Sequence, residues 1–89
     1  MTDSLVRRST VKFTHEGGDG WGEPIHHNLG TENIIVSMWD DNGVHVLPLH
    51  MRTQDENMVT VEIGSNIERA RFNLPEVDEG TEIEVTVIG

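Results

Sequence analysis

The chain reads as an all-β domain: a small β-sandwich or open barrel of six to seven mainly antiparallel strands with an extended N-terminal arm. Three observations predict it. Apolar and polar residues alternate over several short stretches, the period-2 pattern of half-buried strands. Clusters of Gly, Asn, Asp and Pro punctuate those stretches at hairpin spacing. No stretch carries a convincing helical period.

Residues 1–12 are assigned to the arm, and residues 13–89 to the β domain. The leader is polar, and Arg7, Arg8 and Lys12 make up half of the six basic residues. On an acidic body this arm reads equally well as a disordered leader or as a docking arm that reaches for a neighbouring subunit. Residues 10–14 form a short strand with Val11 and Phe13 on one side. Residues 15–22, HEGGDGWG, hold four glycines and form a loop. Trp21 within it either folds back as a lid or offers a surface contact, and the lid is the commoner outcome.

The stretch around which the chain is organised is 25–48. Over 33–40, Ile34, Val36 and Met38 share one face, and Ile35, Ser37 and Trp39 the other. Asn42-Gly43 predicts a type I′ turn with two positive-φ residues, and 44–49 runs back as the hairpin partner. Pro48 marks an edge or a break in that partner. Asp55-Glu56-Asn57 makes a polar turn before 58–63, where Val59, Val61 and Ile63 point inward. Gly64-Ser65-Asn66 turns the chain again. Residues 67–74 read as a strand with Ala70 and Phe72 inward and Arg69 and Arg71 in solvent. An acidic loop, 75–81, leads to the cleanest strand, 82–88, with Ile83, Val85 and Val87 inward.

Bulk chemistry narrows the function. Eighty-nine residues make one small core, built from Val, Ile, Leu and Met because only two Phe and two Trp are present. With no cysteine, neither a disulfide framework nor a thiolate metal site is possible. No apolar run approaches the ~20 residues that span a bilayer, and no apolar leader suggests export, so cytoplasmic synthesis without membrane binding is expected. The net charge of −10 argues against a nucleic-acid partner.

Catalytic machinery is not visible. There is no nucleophile elbow, no phosphate-cradling loop and no dinucleotide fingerprint. The carboxylate pairs Asp40-Asp41, Asp55-Glu56 and Asp78-Glu79 all fall in expected turns, where ordinary pKa values make poor general acids. His26 and His27 are adjacent, so in a strand they point to opposite faces and cannot share an ion within one chain. A structural histidine bonded to backbone is the commoner case. Asp40-Asp41-Asn42-Gly43 lacks the length and the closing Glu of a calcium loop. No enzyme, cofactor or metal site is expected.

Five motifs in order carry a resemblance: His27-Asn28-Leu29-Gly30-Thr31, the strand 34–39 with Asp40-Asp41-Asn42-Gly43, a return with Pro48, Asp55-Glu56-Asn57 before Val59-Thr60-Val61, and the final Val85-Thr86-Val87-Ile88-Gly89. Together, from about residue 21 to 89, they resemble a β module of tailed-bacteriophage virion surface proteins, found in tail fibres and head or tail accessory proteins. Residues 66–75 depart from that pattern. Physically, Asn28 suits an Asx turn, Gly30 a positive φ, and Leu29 a plug beneath them, while His27 is placed to tie two strands together. The resemblance implies a location on the virion surface and a homo-oligomer, commonly a trimer. A chain starting at its own Met and complete at this length is too short for a fibre shaft. The expectation is a capsid decoration protein that binds the major capsid protein and stabilises the shell. A tail-fibre tip or receptor-binding module is the alternative, with Trp21 and its loop as the contact.

Overall fold

The computed structural model describes residues 7–17 and 22–89. The expectations for Trp21 and for residues 1–6 lie outside that range. Six strands and one short helix follow in order: β1 (Arg8–Thr14), β2 (Glu23–His26), β3 (Ile35–Asp40), β4 (His50–Asp55), β5 (Met58–Glu62), α1 (Asn66–Arg71) and β6 (Glu82–Ile88). The strands make two three-stranded antiparallel sheets, ordered β1-β6-β3 and β2-β5-β4. The all-β reading holds. Between the sheets, Met38, Ile83, Val85 and Val87 meet Ile25, Val59 and Val61, with Leu29, Val46, Ile63 and Val77 closing the ends. Val11 and Phe13 pack on this core from β1, on the face their alternation predicts.

The last strand of the sequence is the centre of the first sheet. β6 pairs along its full length with β1, from Arg8↔Ile88 to Thr14↔Glu82, and with β3, from Ile35↔Ile88 to Asp40↔Ile83. Residues 8–12 therefore belong to the sandwich, not to an arm, because β6 supplies their backbone with partners.

The expected hairpin at 33–49 is reduced to its tip. A bridge joins Trp39 to His45, and Val46 N donates to Met38 O at 2.9 Å. Beyond it Val46 drops into the core, the chain crosses at Pro48, and Leu49 N donates to Glu62 O at 2.7 Å in the second sheet. The turn is also not type I′. Only Gly43 has positive φ (79°), while Asn42 does not. Gly43 N donates to Asp40 O, Asp40 N to Val44 O, and Asp40 Oδ1 accepts from both Asn42 N (2.9 Å) and Val44 N (2.8 Å). The Asp40 carboxylate thereby stabilises a three-residue loop with the glycine at the left-handed position.

The strand expected over 67–74 is a helix and a turn. Ser65 is its N-cap: its hydroxyl accepts from Glu68 N at 3.2 Å, and Glu68 Oε1 accepts from Ser65 N at 3.5 Å. That reciprocal box satisfies two donors at the helix start. The exposure pattern inverts the expectation, since Arg69 is 1% exposed whereas Phe72 is 61% exposed and Ala70 also faces solvent. Arg71 is exposed, as read. Arg69 is buried because three carbonyls await it: Nε donates to Pro75 O (2.7 Å), and Nη1 to Leu47 O and Ile63 O (2.8 Å each). A strand at this place would leave those acceptors empty.

Candidate docking surface

Of the candidate partner residues, Arg8 and Lys12 lie on the outer face of the first sheet. In-register rows run Arg8–Ile88–Ile35, Thr10–Thr86–Ser37, Lys12–Glu84–Trp39 and Thr14–Glu82. One end of the face therefore carries Arg8 and the exposed Ile35, and the other carries Glu82, Glu84 and the exposed Trp39. Arg7 stands just before β1, where its carbonyl accepts from Gly89 N at 3.1 Å and holds the start of the strand against the end of β6. Lys12 Nζ lies 3.8 Å from Glu82 and 4.0 Å from Glu84, all three half exposed. Such long, solvated pairs contribute little, so Lys12 is held loosely by its own sheet. Arg7 and Arg8 are exposed and form no ion pair among the described residues.

Trp39 is the aromatic that sequence reasoning gave no role. It is 42% exposed and packs on His45, ring centroids 4.8 Å apart and tilted by 40°. Its signal was its outward phase in the strand next to a turn. Asp40, Asp41, Glu82 and Glu84 surround it in a shallow depression closed by Lys12 and Gly43.

The motif residues gather at the opposite end of β3. His27 N and Asn28 N both donate to Asn57 O (3.0 and 3.1 Å), and Gly30 N donates to Asn57 Oδ1 (3.0 Å). Asp55 Oδ1 accepts from Asn57 N at 2.7 Å and orients it. Two motifs 27 residues apart are thus one clamp. Asn28 and Gly30 take left-handed φ values of 56° and 71°, and Leu29 is buried beneath them, as the motif suggested. The Asx bond assigned to Asn28 is made by Asn57 instead. His27 is buried and His26 exposed, on opposite sides as expected. Among the described residues, His27 does not tie two strands together through its ring: Nδ1 accepts locally from Leu29 N at 3.1 Å, and Nε2 has no partner. Gly89 completes the assembly, because a Cβ there would lie 3.0 Å from Thr31 Cγ2 and 3.1 Å from Ile34 Cγ2.

Near the other end, His15 is buried, and its Nε2 has no hydrogen-bond partner among the described residues. Its backbone bonds Thr81 O and Gly80 N, fastening the end of β1 to the 75–81 loop. Burial pushes the imidazole pKa down. The Arg69 charge adds to that, and Glu79 and Glu16 oppose it. Among the described residues, no group of three or more His, Cys, Asp or Glu side chains is placed to hold a metal ion.

No family model, characterised protein or solved structure matches this chain.

Proposed function

We propose that this chain is a non-enzymatic virion structural protein, a capsid decoration protein that binds the assembled shell and stabilises it. The observation that carries the reading is the basic edge: Arg8 and Lys12 share the outer face of β1 and Arg7 stands exposed just before it, while the body is strongly acidic. A partner with acidic grooves would meet the Arg7 and Arg8 end of that edge, because Glu82 and Glu84 lie beside Lys12 on the same face. The motif resemblance supplies the virion context, and the clamp formed by Asn57 with residues 27–30 explains why such motifs recur together on one scaffold. Recognising only the assembled lattice stabilises that lattice by mass action. A trimer over a local symmetry axis fits the reading.

Because β1 is part of the sandwich, removing residues 1–12 would unfold it, and charge reversal is the cleaner test. The triple variant Arg7→Glu, Arg8→Glu, Lys12→Glu should keep its β circular dichroism yet lose about ten-fold or more in co-sedimentation with assembled shells. Shell binding equal to that of the unaltered protein would sink the basic-edge docking. Imaging of virions that placed the protein on the tail would sink the decoration reading itself. The tail-fibre alternative draws on one observation, the exposed Trp39–His45 pair beside an outward turn. In that case Trp39→Ala would abolish binding to host cells and leave shell binding unaffected.

A further inference from the structure

Each sheet has two edge strands, and three of these four edges are blocked or broken. β3 is covered towards its end by the returning chain, through the Trp39–His45 bridge and the bond from Val46 N to Met38 O. β4 is interrupted by a register shift between Thr53 and Asp55. β2 is only four residues long and contains the exposed Pro24. β1 has none of these features. It runs seven residues without proline or register shift, and among the described residues no strand lies on its outer side.

The ladder shows which backbone groups are open. Arg7 O accepts from Gly89 N, and His15 N donates to Thr81 O, so the odd-numbered residues between them turn their N–H and C=O towards β6. In an antiparallel pair the alternate residues turn theirs the other way. Arg8, Thr10, Lys12 and Thr14 thus present their N–H and C=O groups along one edge, with their side chains exposed on the outer face. On the inner side Val11 and Phe13 are only partly buried, so a further strand would complete their cover.

Charge selects the occupant. Two copies of β1 centred on Thr10 would set Arg8 against Lys12, and two centred on Lys12 would set the lysines together. Centring them on Val11 leaves the lysines as diagonal neighbours, so a second copy fits poorly in each register. Opposite Lys12 a neutral residue suffices, since Glu82 and Glu84 already lie 3.8 and 4.0 Å from its Nζ. Arg8 faces Ile88 across the ladder and forms no ion pair among the described residues. We infer that the outer edge of β1 is a strand-addition site for an extended antiparallel segment of another protein, β-branched along its length and bearing a carboxylate opposite Arg8. Main-chain bonds supply the affinity, and the pair at Arg8 fixes the register. This mode of contact rests on the basic-edge docking only for the identity of the partner.

The test is amide hydrogen exchange, read by NMR on the intact protein. The probe is the blocked peptide Thr-Val-Thr-Val-Thr-Val-Glu, kept monomeric, whose Glu falls opposite Arg8. At a free peptide concentration about ten times Kd, the amides of Arg8, Thr10, Lys12 and Thr14 should exchange about ten-fold more slowly. Edge amides exchange without unfolding, so a ligand bound elsewhere would not slow them. A peptide ending in Lys instead should bind roughly three-fold more weakly, and Arg8→Glu should reverse that order with unaltered circular dichroism. The proposal is overturned if the Glu peptide leaves these four amides unprotected, or if Arg8→Glu leaves the order unchanged. Slowing that grows with protein concentration alone assigns the edge to a second copy and overturns it as well. If the charge-reversed triple variant loses shells while the peptide protects nothing, the docking stands and strand addition falls.

Discussion

At the scale of single residues, two side chains hold distant segments together through backbone groups. Arg69 joins the 47–49 crossing, the end of β5 and the 75–81 loop through three carbonyls. Arg69→Ala is expected to destabilise the protein by about 3 kcal/mol or more, because buried acceptors lose charged donors. Arg69→Lys should recover little of it, since an ammonium lacks the planar fork. Urea denaturation reads both. Asn57→Ala, which removes the Oδ1 acceptor of Gly30 N, should cost about 1 kcal/mol in the same assay. His15 sets a pH dependence. Its folded pKa lies below the unfolded value of 6.5, so the folded state binds fewer protons. Its contribution is fully present above 6.5 and is lost as pH falls through the lowered folded value. Thermal melts should therefore show falling stability below about pH 6.5, and His15→Gln should flatten that slope. An unchanged slope in the variant would move the effect to the carboxylates.

Among the elements, β1, β3, β5 and β6 were legible because alternation and turn chemistry agreed there. Val59, Val61 and Ile63, like Ile83, Val85 and Val87, are buried as their spacing required. The helix α1 was the element misread, because Ala70 and Phe72 sit two apart and imitate a strand face. The available signal was Ser65-x-x-Glu68, a capping box whose first residue had been spent on a turn. Ser65→Ala should cost about 1 kcal/mol and loosen α1, which hydrogen exchange at Glu68 and Arg69 amides would register. The hairpin failed for a different reason. A turn sequence specifies a reversal over a few residues, but which sheet the returning chain joins depends on Val46 entering the core and Leu49 meeting Glu62. β4 shows the same dependence. Met51 and Thr53 are in register with buried Val61 and Val59, yet they are exposed because the first sheet does not extend over them. Arg52, Asp55 and a register shift between Thr53 and Asp55 guard this edge against further pairing.

For the whole molecule, two three-stranded sheets enclose one aliphatic core, and β6 is the central strand of the first sheet. Ile83→Ala, at a fully buried position between β1 and β3, should cost roughly 2–5 kcal/mol, enough to unfold much of a domain this small. Calorimetry would show it as loss of the cooperative transition near ambient temperature. The same architecture gives the charge map its shape: the cations of β1 form one edge, and half of the described acidic residues lie on β6, the 40–43 turn and the 75–81 loop. The docking proposal belongs to this scale, since no single residue of the edge stands out from its neighbours.

Local pattern was enough to specify the all-β class, the shared faces of β1 and β3, the inward residues of β5 and β6, the left-handed Gly30 and the buried Leu29. Each depends on the period of the backbone or the steric freedom of one residue, and neither needs a distant partner. The partners themselves came only from the tertiary structure: β6 between β1 and β3, Asn57 against residues 27–30, and Arg69 among the carbonyls of residues 47, 63 and 75. These are contacts across long sequence separations, where a carbonyl or an amide has no side-chain identity to read. Burial of a charged Arg69, in particular, becomes favourable only after three separate segments have placed their acceptors around it.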